Sequence, residues 1–169
     1  MLRILGALLL TGGCTAFGVQ ASARLGKRVT YIAAWRMAIE QLRAEMSCRV
    51  RALPELAKHL AETAPQGLCD DFHKLAEMLQ RPNDERYAHI WTRWVKTLPL
   101  IHAEERAVIV DLGQLLGRYE LDSQLTAMDS AEARLAQIEE RAQVRKDKLS
   151  RLYAASGLLG GAAMAVVLL

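Results

Sequence analysis

The stretch LDSQLTAMDSAEARLAQIEERAQVRKDKLSRL, residues 121–152, decides the fold class. Leu121, Met128, Leu135, Ala142 and Leu149 recur in it every seven residues, while the companion positions Gln124, Ala131, Ile138, Arg145 and Leu152 are only partly apolar. A seven-residue apolar repeat belongs to an α-helix, because no strand returns to the same face at that interval. A free two-stranded coiled coil would need a stronger second row. The segment is therefore expected to pack against its own domain and to run on into the residues that follow it.

Those residues, 152–169 (LYAASGLLGGAAMAVVLL), carry no charge over 18 positions, near the lower limit for crossing a bilayer. At the other end, residues 4–23 (ILGALLLTGGCTAFGVQASA) are uncharged over 20 positions, and a helix of that length reaches about 30 Å at about 1.5 Å per residue. One transmembrane helix is expected at each end, over residues 1–23 and 152–169, with Gly157 and Gly161 at the spacing that lets another helix pack closely. Three other readings of the N-terminus compete. Ala21-Ser22-Ala23 is an A-x-A pattern that a secretory signal would carry, but Arg24, Lys27 and Arg28 follow at once, and such charges tend to hold their side in the cytoplasm. A lipoprotein signal at Cys14 would usually have Leu where Thr11 stands. A soluble chain with a buried helix would be expected to show a polar break.

Arg141, Arg145, Lys146, Lys148 and Arg151 crowd the second junction, so both inner flanks are basic while only Arg3 lies on the far side. The charge bias places residues 24–151 in the cytoplasm. Arg24, Lys27, Arg28, Arg145, Lys146, Lys148 and Arg151 are the expected membrane-flanking residues, each adding about 1 kcal/mol beside anionic headgroups.

Working back from residue 121, the middle reads as an all-α bundle of about six helices. Leu25, Val29, Ile32, Ile39, Leu42 and Met46 recur at helical steps. Pro54 suits the first turn of a short helix to about Glu62, and Pro65-Gln66-Gly67 breaks it. Asp70 or Asp71 is the expected cap of FHKLAEMLQ, which Arg81-Pro82-Asn83-Asp84 ends. Asp84 is the expected cap of ERYAHIWTRWVKT, closed near Pro99. From Glu104 a helix carries Val108, Leu112 and Leu115 on one face with Ile109 and Leu116 beside it, and Gly117 is the expected stop. Asp122 opens the long segment.

Composition agrees: hydrophobic residues make up 51% and aromatics 5%, a balance that favours helix over sheet. The net charge of +3 is dispersed, all 22 Lys and Arg except Arg3 standing among the 19 Asp and Glu of the middle, which argues against nucleic acid. Cys14, Cys48 and Cys69 form no CxxC pair, so neither a disulfide framework nor a zinc site is expected.

Catalytic patterns are sparse. The one Gly-Lys, Gly26-Lys27, is followed by Arg28 and lacks the upstream glycine of a phosphate loop. His59, His73, His89 and His102 stand 14, 16 and 13 apart, so no two share a helix face as metal-site histidines do. No GxSxG occurs, and Asp70-Asp71, Glu104-Glu105 and Glu139-Glu140 are adjacent in helices, where neighbours do not converge. No catalytic, cofactor or metal residues are expected. Trp91 and Trp94, flanking Arg93, are the candidate interaction residues, with a core or interface as the plainer use of aromatics at that spacing. An exported bundle, or a membrane-bound helical enzyme, is the alternative reading.

The whole layout resembles the stage III sporulation protein AB family of endospore-forming bacteria. The resemblance rests on MLRILGALLL with its basic exit; the helix ending near Leu42 to Met46 followed by Ala52-Leu53-Pro54-Glu55; Leu112-Gly113-Gln114-Leu115-Leu116-Gly117 followed by Asp122 and Gln124; and the tail Gly157-Leu-Leu-Gly-Gly ending in VVLL. It is looser between residues 61 and 101. The resemblance implies a helical domain similar to the cytoplasmic domain of the type II secretion F protein, which contacts a secretion ATPase. It also implies a place in the channel between mother cell and forespore, in the outer forespore membrane, with the stage III sporulation protein AA ATPase as partner.

Overall fold

Proline, glycine and buried backbone caps set the helix ends. A computed structural model describes the backbone of residues 2–48, 53–65, 67–81, 85–116 and 120–168, with side chains for 20, 23–47, 53–65, 67–81, 85–116 and 120–153. Six helices follow in order: α1 Leu2–Cys48, α2 Leu53–Thr63, α3 Cys69–Gln80, α4 Tyr87–Lys96, α5 Ala103–Leu115 and α6 Leu121–Leu168, with no strand among the described residues. The expected all-α class holds. The first and last helices run unbroken through 23/24 and 151/152, and the last continues into the residues that follow it as its sequence suggested. A change from uncharged to charged side chains alters what a helix touches without interrupting its backbone.

Pro54 lies in the first turn of α2, where its missing N–H costs nothing. Pro65 follows the end of that helix, and Gly67 adopts φ 99°, a left-handed turn open mainly to glycine, so that the chain reverses into α3. The expected aspartate cap of α3 is not used. Leu68 caps α3 without a side-chain hydrogen bond, and Asp71 is buried with its carboxylate engaged elsewhere. Arg86 caps α4; Asp84, like Pro82, Asn83, Gln66 and Gly117, lies outside the described residues. At α5 the Glu105 carboxylate accepts the His102 backbone N–H at 2.9 Å, tying down the first turn. Leu116 closes that helix and is buried, whereas Leu115 is 36% exposed, reversing the expected order of the two leucines.

The chain divides into two compact units, Met1–Val29 with Glu140–Leu169, and Thr30–Glu139. In the first, a Cβ placed on Gly26 would lie 3.7 Å from Lys146 Cε, so α1 and α6 run side by side there. Among the described residues no helix is long and apolar enough to cross a membrane. The side chains of 4–19, 21, 22 and 154–169, which make up most of the two expected spans, lie outside the description, as do Gly157, Gly161, Cys14 and Cys48.

In the second unit the helices pack around one shared core. Gln41 Nε2 donates to Thr63 Oγ1 at 2.6 Å and Glu45 meets His59 at 3.1 Å, an antiparallel register between α1 and α2. Hairpins join α2 to α3 and α4 to α5, and α3 packs on α4. Arg134 reaches Asp111 from α6 to α5, and Arg36 and Arg43 reach from α1 back to α6. The heptad row of α6 lines the centre: Met128 and Leu135 are fully buried, joined by Ala131 and Ile138 of the companion row and by Gln124. The two rows together give the wide stripe of a helix in a bundle.

Leu135→Ala removes side-chain volume from a fully buried site and is expected to cost about 2–5 kcal/mol. Leu121→Ala, at a position 40% exposed in the same heptad row, should cost well under that. Urea unfolding of the purified full chain, followed by circular dichroism, measures both.

Candidate functional site

Five aromatic rings from three helices make the inner framework. Trp35 of α1 stands 5.6 Å from Phe72 of α3 and 5.7 Å from Trp94 of α4, while Phe72 and Trp94 are 5.4 Å apart, all tilted. Trp91 meets Trp94 edge-on at 4.9 Å and Tyr87 at 5.7 Å. Such pairs add about 0.5–1.5 kcal/mol each beyond the area they bury.

Three polar ties orient these rings. The Trp94 indole N–H donates to the Asp71 carbonyl oxygen at 2.7 Å, and the Trp91 indole N–H donates to the Ile109 carbonyl oxygen at 2.8 Å. Asp71, 4% exposed, accepts the Tyr31 hydroxyl at 2.6 Å and faces Lys74 Nζ at 3.4 Å. A buried carboxylate is tolerable only with such partners. Burial first, and then the bond and charge of Asp71, push the Tyr31 phenol above its ordinary pKa; burial alone raises Tyr87. Under Trp91 lies Gly113, where any Cβ would overlap the indole at Cδ1, Nε1 and Cγ. Glycine here is a matter of room for the ring.

On the outside, the Arg36 guanidinium is forked between Glu132 and Glu139, each at 2.9 Å, and Arg43 meets Asp129 at 2.8 Å. Glu132 and Glu139 are one heptad apart on α6, so a slip of one residue would lose both bonds. The bonds to Glu139 and then Glu132 raise the Arg36 pKa further. These groups are partly exposed, so each pair contributes no more than about 1 kcal/mol, and their main effect is on register.

A crevice bordered by Trp35, Leu53, Tyr87, Trp91 and Leu116 has about 20 Å³ free, room for one water. A second, open depression of about 410 Å³ lies between Met37, Glu40, Ala44 and Pro65. Among the described residues no three His, Cys, Asp or Glu side chains are placed to hold a metal ion. His59 pairs with Glu45, His102 caps α5, and His73 and His89 are exposed. Cys69 is a free thiol donating to the Ala64 carbonyl at 3.1 Å.

The residues singled out from sequence fall in separate places. Trp91 and Trp94, 3% and 0% exposed, belong to the core. Arg24, Lys27, Arg145, Lys148 and Arg151 are exposed, and Arg28 and Lys146 half-buried. Periodicity left out Tyr31 and Trp35, although both continue the apolar face of Ile32, Ile39 and Leu42. It also left out the outward side of α4, readable as the complement of the tryptophan face.

The family model of stage III sporulation protein AB matches residues 3–169. The chain therefore belongs to that family and has a role in stage III sporulation. Neither a curated protein nor a solved structure matches it.

Gly113→Ala is expected to destabilise the protein by about 1–3 kcal/mol, the cost of forcing extra volume into a packed core. The loss should shrink when Trp91→Leu is also present, a non-additivity that a double-mutant cycle in urea reads directly. A raised phenol holds its proton more tightly in the folded chain, so the contribution of Tyr31 and Tyr87 is complete below about pH 10 and is lost as pH rises beyond it. The unfolding midpoint should fall through this alkaline range, and less steeply in the Tyr31→Phe, Tyr87→Phe double variant.

Proposed function

We propose that the chain is a membrane-anchored docking component of the channel between mother cell and forespore, required for endospore formation. In this reading the helical unit Thr30–Glu139 is the platform for a secretion-type ATPase, the stage III sporulation protein AA. Residues 4–23 and 152–169 are its transmembrane helices, anchoring it in the outer forespore membrane, with residues 24–151 in the mother-cell cytoplasm.

The observation that carries the reading is the family match over residues 3–169. The physical character of the second unit supports it. Its aromatic centre is close-packed, with a crevice of about 20 Å³ beside it. A body of that kind acts through its surface. The uncharged runs at the two ends have the length to span a bilayer, and the exposed Arg24, Lys27, Arg145, Lys148 and Arg151 suit contact with anionic headgroups.

Full-length protein reconstituted in lipid nanodiscs should bind the purified stage III sporulation protein AA ATPase saturably. Titration by biolayer interferometry without nucleotide, with ADP and with a non-hydrolysable ATP analogue tests this. No binding in any of the three states would sink the docking reading.

A further inference from the structure

The outward face of α4 is basic along its whole length. Arg86, His89, Arg93 and Lys96 stand at steps of three, four and three, and all are exposed. At about 1.5 Å per residue the ridge is about 15 Å long. No acidic residue occurs within Tyr87–Lys96. Only Arg93 has an ion pair, with Glu85 at 2.9 Å; the side chains of Arg86, His89 and Lys96 have no partner among the described residues. Elsewhere on this unit Arg36, Arg43, Lys74 and Arg134 are each matched to a carboxylate of the chain itself, and the exposed Lys58 and Arg81, which are not, stand singly, on α2 and at the end of α3, rather than in a row.

The ridge also has a rigid base. Ile90, Trp91, Trp94 and Val95 on its other side are buried, and the two indole N–H bonds fix the helix about its own axis. Charges presented this way lose little freedom when matched. From these observations, and resting on the docking reading above, we infer that the α4 ridge is the contact face of the platform and that it takes an acidic surface of the partner protein.

A membrane surface fits the ridge less well. Peripheral lipid binding combines basic residues with apolar side chains that enter the acyl boundary. The large apolar residues of α4 turn inward, and none of the exposed large hydrophobic residues belongs to this helix. Arginine, with its planar fork of donors, is instead suited to carboxylates held at fixed positions on a protein.

The test uses the full chain in nanodiscs and the purified ATPase. The triple variant Arg86→Glu, Arg93→Glu, Lys96→Glu is compared with wild type and with Lys58→Glu, an exposed lysine on α2. All three substituted positions are exposed, and circular dichroism confirms that the variant is folded; Arg86→Gln, Arg93→Gln, Lys96→Gln serves as a milder second form. Wild-type binding should weaken with added salt. The triple reversal should weaken it at least about tenfold, the neutral variant by less, and Lys58→Glu by under about twofold. Equal binding by wild type and the triple reversal overturns the ridge and leaves the docking reading standing. Absence of wild-type binding overturns the docking reading and the ridge with it. A triple variant that binds the ATPase normally but no longer sediments with phosphatidylglycerol vesicles assigns the ridge to lipid, which also overturns the proposal.

Discussion

The contact on which the folded unit depends is the meeting of Trp35, Phe72 and Trp94, with Trp91 edge-on behind them. Rings from α1, α3 and α4 touch at one point, and Trp91 carries the contact on to Gly113 of α5. Short helices such as α4, ten residues long, are unstable alone, since nucleation is costly and few bonds follow. Their persistence here comes from packing. Large rings provide much of it, because each reaches two or more neighbours at once. The indole N–H groups then settle direction as well as depth, each ending on a backbone carbonyl of the next helix. A phenylalanine in either place would fill similar space and leave that carbonyl without its donor.

Around this centre the long helices contribute register. Arg36 forked between Glu132 and Glu139, and Arg43 against Asp129, are exposed enough that water and salt weaken them, so their free energy is small beside that of the buried rows. Their geometry still discriminates. Ile32, Ile39, Met128 and Leu135 could slide past one another by a turn at modest cost, because aliphatic side chains have no directional bonds. The arginine forks make one of those alignments better than the others. Apolar burial holds the helices together, and the ion pairs select their register.

Much of this was legible in the sequence, and the failures have identifiable causes. The seven-residue row of α6 named Met128 and Leu135 correctly, because periodicity reports which side a helix buries. It undervalued the companion row: Gln124 and Ala131 look weak by hydrophobicity, yet both are buried, since a close helix neighbour needs a small side chain or a satisfied amide. Asp71 was expected at a helix start on the strength of its type and position. Only the fold brings Tyr31, forty residues away, within hydrogen-bond reach of it. Leu115 and Leu116 exchanged places because the last turn of α5 ends at a cap that periodicity alone does not locate. The aromatic centre was half seen: Trp91 and Trp94 stood out by their spacing, while Trp35 and Phe72 join them only in three dimensions.

Trp91 and Trp94 also show how one pattern admits two readings, of which the plainer, a place in the core, is the one the fold adopts. Aromatics three residues apart with an arginine between them resemble a stacking platform for a ligand. In the folded chain the rings turn inward and the arginine turns out, separated by the helix itself. The two sides remain coupled, because whatever fixes the rings also fixes the charges. A helix held by two indole hydrogen bonds and a bed of rings cannot rotate to bring Arg86 or Lys96 toward an acid elsewhere on its own surface. The burial of the tryptophans thus holds Arg86, Arg93 and Lys96 on the outer side, where only Arg93 meets a carboxylate among the described residues. Unpaired charge on a fixed frame is favourable for recognising a second protein, since little internal structure must be undone before the partner's carboxylates can be met.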